Sequence, residues 1–492
     1  MKHSELVSTH EAYQANQTDW EFHLRSFLGG SQYRAGEYLL KYIQEDVKEY
    51  NKRIDLTPLD NHCKNVVSIY SSFVWRVPPT RNLGAITNDQ AAIAMLSDAD
   101  LDGRSFNAFM RDAQTWSDVY GHCWVMVDKP ESNAKTRAEE LDQEIRPYLN
   151  LITPENVLDW QYERSASGRY VLVYFKVREM QNADITVIRE WTPLEVVTYQ
   201  SDGDKVTVLS KVNNPVGMIP AVALYGKRSP IKGIGVSSIA DVASMQKAIY
   251  NELSEIEQII RISNHPTLVK STGTDASAGA GGVINIADEE EINPYLLQPS
   301  AASLSSIMES IKEKTQAINR MSHMGAVRGS EALTMSGVAL QSEFQLLNAK
   351  LAEKADLLEL AEEQIWDLFC LWQDLTNDTE INYPESFDLR DYATELAFLQ
   401  SARASGVASK TFMQGVDKAI SELVLADEDL VMAIKEIEDD TKQLGQFEKG
   451  QIYKYHIDGG VVSPNEARVD LGLDPMAGGD VIEKAPIAGQ PE

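Results

Sequence analysis

Apolar positions recur at helical spacing from Tyr33 to Tyr50 and again from Asp60 to Val77, where the run Asn65-Val66-Val67-Ser68-Ile69-Tyr70 is closed by Pro78-Pro79. The chain therefore predicts an α-rich start, with a further helix over Asp98–Arg111 and a strand over Tyr120–Val127. From about Tyr148 the period shortens. Val171–Phe175, Ile185–Ile188, Val196–Tyr199 and Lys205–Leu209 are β-branched and aromatic runs divided by turn residues such as Ser201-Asp202-Gly203-Asp204, which predicts a small antiparallel sheet.

After Ile219-Pro220 the helical period returns. Ser237 or Ser238 is placed to cap a helix free of Pro and Gly from Ile239 to about Ile262, roughly 36 Å long. Pro266 stops it. A compact insertion follows, with two apolar runs, Thr267–Lys270 and Val283–Ile286, expected to pair as a hairpin, and an acidic run Asp288–Glu291. A second helix is predicted over Ala301–Met321. A loop holding Gly325 and Gly329 leads to the longest helix, Ser336–Trp372, about 55 Å long, whose stripe Leu340, Phe344, Leu347, Leu351, Leu358, Ile365, Phe369 and Trp372 marks a core face. From Tyr383 onward short helical pieces alternate with acidic joints, and Ala485–Glu492 has little apolar content with which to fold.

Composition changes this picture in one respect. The 492 residues hold 45 Lys and Arg against 74 Asp and Glu, a formal charge of −29 with 43% hydrophobic residues. So acidic a foldable chain is no sequence-specific nucleic-acid binder held by a basic face, because phosphate contacts need clustered cations. Cys63, Cys123 and Cys370 form no disulfide or metal spacing. The polar start Met1-Lys2-His3-Ser4-Glu5 leads into no apolar h-region, and no run of about 18 apolar residues occurs, so a soluble, non-secreted, non-membrane protein is expected.

Catalytic patterns fail in turn. Gly226-Lys227-Arg228-Ser229 lacks the upstream Gly and the hydroxyl of a phosphate loop, and Gly279–Gly282 has no Lys after it. Gly235-Val236-Ser237-Ser238-Ile239 breaks the nucleophile-elbow pattern at its last Gly. His62-Cys63 and His122-Cys123 lack further ligands at metal spacing, and adjacent side chains diverge. The unbroken carboxylates Asp288–Glu291 lack the spaced oxygens of a calcium loop and suit a solvated face or a docking surface. No enzyme, cofactor or metal site is expected.

The order of elements is the most informative feature: α-rich region, β-rich region, long helix, Gly-interrupted insertion, returning helix, Gly-punctuated loop, very long helix, helical tail. Three segments accompany it: Ile234-Gly235-Val236-Ser237-Ser238-Ile239-Ala240-Asp241-Val242 with Gln246 and Asn251; Met335-Ser336-Gly337-Val338-Ala339-Leu340; and Gly460-Val461-Val462-Ser463-Pro464-Asn465-Glu466-Ala467-Arg468 with Leu471-Gly472-Leu473-Asp474-Pro475. Across about Asp60–Asp480 the chain resembles the portal proteins of tailed bacteriophages, the last segment being similar to their NEAR-type C-terminal stretch. The resemblance implies an α+β, mainly α, portal fold assembled as a ring. It divides the chain into an N-terminal helical region (1–59), a wing with a small sheet (60–232), a first stem helix (233–264), a clip (265–300), a second stem helix (301–321), a tunnel loop (322–335), a long wing helix (336–382) and a crown (383–492).

It further implies a virion protein, assembled in the host cytoplasm. Twelve subunits would line the channel by which double-stranded DNA is packaged and ejected, with terminase large subunit, a head-completion adaptor or tail protein, and capsid and scaffold proteins as partners. A closed ring makes every contact heterologous, so a neighbour can cover a second face of each stem helix. Twelve copies would carry about −350, a wall that repels the duplex. The exceptions are Lys312, Lys314, Arg320, His323 and Arg328, expected to touch phosphates loosely, with solvated charges or salt bridges as the competing reading. Met324 and Val327 are expected as apolar tips of the tunnel loop, and Asp288, Glu289, Glu290 and Glu291 as the partner-binding face of the clip. The alternative is another multimeric virion or scaffold protein with long helices and no channel.

Overall fold

The computed structural model describes residues 2–130, 132, 134, 136–182, 185–203, 205–264, 267–272, 283–286, 293–297, 301–325, 327, 337–387, 392–404, 409–425, 432–437, 451, 453–454, 456–457, 461–470 and 473–481. They fall in two compact units, Met1–Asp388 and Leu389–Glu492. The fold is α+β and mainly helical.

The core of the larger unit is built around the strand His122–Asp128, which is paired antiparallel on both sides, with Tyr148–Ile152 and with Ala221–Tyr225. Every residue from His122 to Val127 is buried. Both faces of the strand are covered, so its sequence is a continuous apolar run without alternation. Helices Glu11–Leu28, His62–Val74 and Phe106–Tyr120 pack around it, and the helix Gly337–Gln373 contributes Leu347, Leu351, Leu358, Ile365, Trp366 and Phe369, all fully or nearly fully buried. Five of these residues, Leu347, Leu351, Leu358, Ile365 and Phe369, belong to the stripe read from the sequence; Phe344 and Trp372 are half-buried, and the side chain of Leu340 lies outside the described ones. Each of the buried side chains contributes about 1.5–3 kcal/mol of burial, as an upper bound. At the helix end, Trp372 Nε1 donates to the Val127 carbonyl at 2.8 Å.

A five-stranded antiparallel meander runs in chain order through Val157–Arg164, Tyr170–Gln181, Ile185–Trp191, Glu195–Asp202 and Lys205–Asn213. Its first strand was not anticipated. Asp159, Gln161 and Glu163 alternate with the apolar positions there, which dilutes the composition signal that marked the other four. The expected helix over Asp98–Arg111 is displaced to Phe106–Tyr120: Gly103 N donates to Asp98 Oδ1 in a preceding turn, and Ser105 Oγ accepts from Ala108 N as the cap. Tyr33–Tyr50 is not one helix either. Short helices Gly30–Ala35 and Val47–Leu56 flank a non-helical stretch whose backbone is bound from outside, Leu40 N to Asn251 Oδ1 (2.7 Å) and Tyr38 O from Asn251 Nδ2 (3.1 Å). Tyr33 and Leu39 bury against Tyr250, so the apolar spacing records tertiary packing.

Helices Ala240–Asn264 and Ala301–Met321 pack against each other. Between them lies a three-stranded sheet ordered Val283–Ile286, Thr267–Ser271, Tyr295–Leu297. The expected hairpin is corrected here: Val283–Ile286 runs parallel to Thr267–Ser271, and the antiparallel partner is Tyr295–Leu297. Two strands joined by a long connection are free to pair parallel, which a tight hairpin forbids. Since the outgoing helix feeds the central strand and the returning helix follows its antiparallel neighbour, the two helices run in opposite directions.

In the smaller unit, Tyr392–Ala404 packs on Lys410–Val424, with an Arg403–Asp417 ion pair at 3.0 Å. The helix Pro464–Asp470 opens with a capping box, Glu466 N donating to Ser463 Oγ (3.2 Å) and Ser463 N to Glu466 Oε2 (2.9 Å), with Pro at its first position. Asn465 ties the following loop to this helix: its side chain accepts from Met476 N and donates to the Met476 carbonyl and Asp480. Arg468 donates to the Asp474 carbonyl at 2.7 Å. Two of the four NEAR residues, Asn465 and Arg468, thus bind the loop that follows, Glu466 closes the cap, and Ala467 is buried.

Candidate channel and docking site

The start of the first long helix is held by backbone contact. Gly121 ends Phe106–Tyr120 with φ +95°, and a Cβ there would lie 2.6 Å from the Gly235 carbonyl oxygen. A Cβ on Gly235 would in turn meet the Gly121 oxygen at 1.9 Å. Only two glycines permit the approach. Ser237 Oγ donates to the Val119 carbonyl (2.7 Å) and accepts from Ile239 N (3.2 Å), while Ser238 Oγ donates to Asp118 Oδ1 (2.7 Å). The two serines therefore tie the new helix to the end of the old one; the helix begins at Ala240, so Ser237 closes the turn that leads into it, on Ile239 N, and does not cap its first turn. Gln246 accepts from Cys63 N and donates to the Ser26 carbonyl, so the residues that carried the resemblance here are joints between elements.

The candidate cations separate into groups. Lys312 and Arg320 are exposed on the second helix. Lys314 is committed to Glu252 on the first, Nζ to Oε1 at 2.6 Å, in a cluster with Ser310, which makes it a brace between the two helices. His323 is half-buried with φ +55°. Burial, and then the nearby charge of Lys350, push its imidazole below the ordinary range. Met324 is not a tip: it is fully buried in the main core, with its N–H on the Asn319 carbonyl at 2.9 Å, because the chain folds back over the helix end before leaving it. Ser322 is buried as well, its carbonyl accepting from Tyr70 OH at 2.8 Å. Val327 is partly buried against the same core. Arg328, Asp288, Glu289, Glu290 and Glu291 lie outside the described residues.

A second polar cluster, unforeseen from the sequence, sits where the long helix crosses this joint. Lys354 bonds Asp118, and also Ser238 Oγ at 2.8 Å, with both charged side chains almost wholly buried. One turn earlier, Lys350 lies over the face of Tyr70, 5.0 Å from its centroid. Burial, then the neighbouring Lys354, lower its ammonium to about 8. The available signal was two lysines four apart inside an apolar stripe, a spacing that puts both on one face.

The paired His and Cys residues pack. His122 Nδ1 accepts from Gly235 N, and burial holds the ring down to about 3. Cys63 and Cys123 are buried, which raises both thiols. Among the described residues no group of three or more His, Cys, Asp or Glu is placed to hold a metal ion, and no helix is long and apolar enough to cross a membrane.

No family model and no curated protein matches the chain. Among solved structures it is similar to a chain from the neck of an empty GTA particle determined with C6 symmetry, at 10% identity and TM-score 0.40, over 89% of this chain and 96% of that one. It is also similar to a chain of the virion of a native gene transfer agent (GTA) particle, at 11% identity and TM-score 0.39, over 84% of this chain and 90% of the other. A chain from the neck of a native GTA particle determined with C12 symmetry aligns over the same shares at 11% identity and TM-score 0.36.

Proposed function

We propose that this chain is a portal-type subunit: a non-enzymatic ring protein at one vertex of a tailed-phage-like capsid, through which double-stranded DNA is packaged and ejected. The observation that carries this reading is the pair of opposed helices joined by a small, apolar, exposed sheet and followed by a 37-residue helix through the core. Val283, Ile284, Tyr295, Leu296 and Leu297 of that sheet are each between 44% and 54% exposed in the single chain. Such a row of apolar residues on short open strands is a surface that a neighbouring subunit or a docked protein covers. In this reading the sheet is the clip, and it meets terminase large subunit during packaging and a head-completion adaptor or tail protein afterwards. Capsid and scaffold proteins surround the ring. Lys312 and Arg320, with Arg328, are the channel cations, and Lys314 is structural.

Negative-stain imaging of the purified chain tests the proposal. A ring with a central hole, twelve- or thirteen-fold, is expected. A filament, a dimer or a compact monomer rejects it, and the filament favours the competing reading of a scaffold or virion protein without a channel.

A further inference from the structure

A cleft of about 690 Å3 lies between the first two strands of the five-stranded sheet, the loop 226–232 and the last turns of the long helix. It shares no residue with the helix pair or the joint described above. Its apolar lining includes Ile231 and Leu371, each about half exposed, with Leu368 and Leu375 deeper. Its rim is cationic. Arg169, Arg228 and Lys232 line it, and Arg164 stands beside Tyr170 at its edge. Among the described residues none of these four cations forms an ion pair with a carboxylate. The single lining carboxylate, Asp367, accepts from Asn377 Nδ2. In a chain of net −29 this is an unusual local excess of positive charge. It registers on Tyr170: the exposed phenol is pulled below its ordinary range by its hydrogen bond from Arg164, with the charges of Arg164 and Lys232 adding.

We propose that this cleft is a docking site for an acidic peptide segment that also carries apolar side chains, its carboxylates meeting the four cations and its apolar groups covering Ile231 and Leu371. Charge complementarity selects the occupant. A nucleic acid is disfavoured by geometry. Lys232 Nζ lies 4.1 Å and the Arg164 guanidinium 4.8 Å from the centroid of Tyr170, and Arg228 lies 5.8 Å from that of Tyr225, so cations already occupy the ring faces that a stacking base requires. An apolar floor also offers nothing to a phosphodiester. The inference does not rest on the portal reading.

Fluorescence anisotropy with the full chain tests it, using a fluorescein-labelled Glu/Leu peptide, its Gln/Leu counterpart and an oligothymidylate of equal length. The Glu/Leu peptide is expected to bind at least about tenfold more tightly than either control, and more weakly as salt rises. R228Q combined with K232Q should weaken it about tenfold; both side chains are exposed, so the fold is unaffected and circular dichroism should be unchanged. L371S should weaken it independently of salt. Equal binding of the Gln/Leu peptide, an unchanged affinity in the R228Q/K232Q chain, or preference for the oligonucleotide would each overturn the proposal.

Discussion

Removing the carboxylate of Asp118 strands a buried ammonium. In the native chain Lys354 and Asp118 side chains are 5% and 1% exposed, Lys354 bonds Asp118 and Ser238 Oγ, and Ser238 in turn donates to Asp118. Asp118→Ala leaves Lys354 with a hydroxyl and a carbonyl as its remaining partners, and breaking one side of a buried pair costs about 3–5 kcal/mol. Against a typical total of about 5–15 kcal/mol, that is a large fraction. Asp118→Ala combined with Lys354→Met removes both charges and should recover all but about 1–2 kcal/mol, since an apolar replacement of an ion pair is often close to neutral. Lys354→Met alone strands the buried Asp118 carboxylate at a similar cost of about 3–5 kcal/mol. The two single losses together then exceed the double loss by about 4 kcal/mol or more, so the coupling is favourable. Urea denaturation of the full chain, followed by tryptophan fluorescence, reads the two single variants and the double. A loss below about 1 kcal/mol in Asp118→Ala, or a double variant no better than the sum of two single ones, would refute the argument that this pair clamps the long helix to the helix joint.

Lys350 gives a pH signature. Its folded value near 8 lies below the ordinary lysine range, so between about pH 8 and 10.5 the unfolded chain binds more protons and stability rises with pH. Lys350→Met should therefore stabilise by about 2–3 kcal/mol at pH 7, and urea midpoints should show the gain shrinking to nothing by about pH 10.5. Gly235→Ala forces a Cβ into the Gly121 carbonyl and should abolish soluble folded protein or lower its thermal midpoint by many degrees; a midpoint within a degree of the parent's would show that the approach is not tight. Ser463→Ala removes the acceptor of the capping box, costing about 1 kcal/mol, and should be visible as faster amide exchange across residues 464–470 with the larger unit unchanged. In a packaging assay, Lys312, Arg320 and Arg328 changed together to Ala should reduce DNA retention while Lys314→Ala alone instead loosens the helix pair; unchanged retention in the triple variant counts against channel contact.

Much of the element order was legible because it depends on local periodicity. The two opposed helices, the insertion between them and the long helix were read within a residue or two of their observed ends, since each buries one stripe and is bounded by Pro, Gly or Ser. Where tertiary contacts override local preference, the reading failed. Tyr33–Tyr50 is broken because Asn251, some two hundred residues away, supplies the hydrogen bonds a helix would have made. Met324 belongs to the core because the chain turns back at Ser322, anchored by Tyr70.

The sequence by itself determined the helix and strand periods, the acidic balance and the glycine and serine positions that joints require. Those are one-dimensional properties of spacing and composition. Only the tertiary structure decided which strands pair in parallel, that Gly121 faces Gly235, that Lys354 meets Asp118 and that Tyr162, Arg228 and Leu371 share one cleft. Each of these joins residues far apart in the chain, and loop closure costs so little extra with length that spacing carries no record of which distant partners meet.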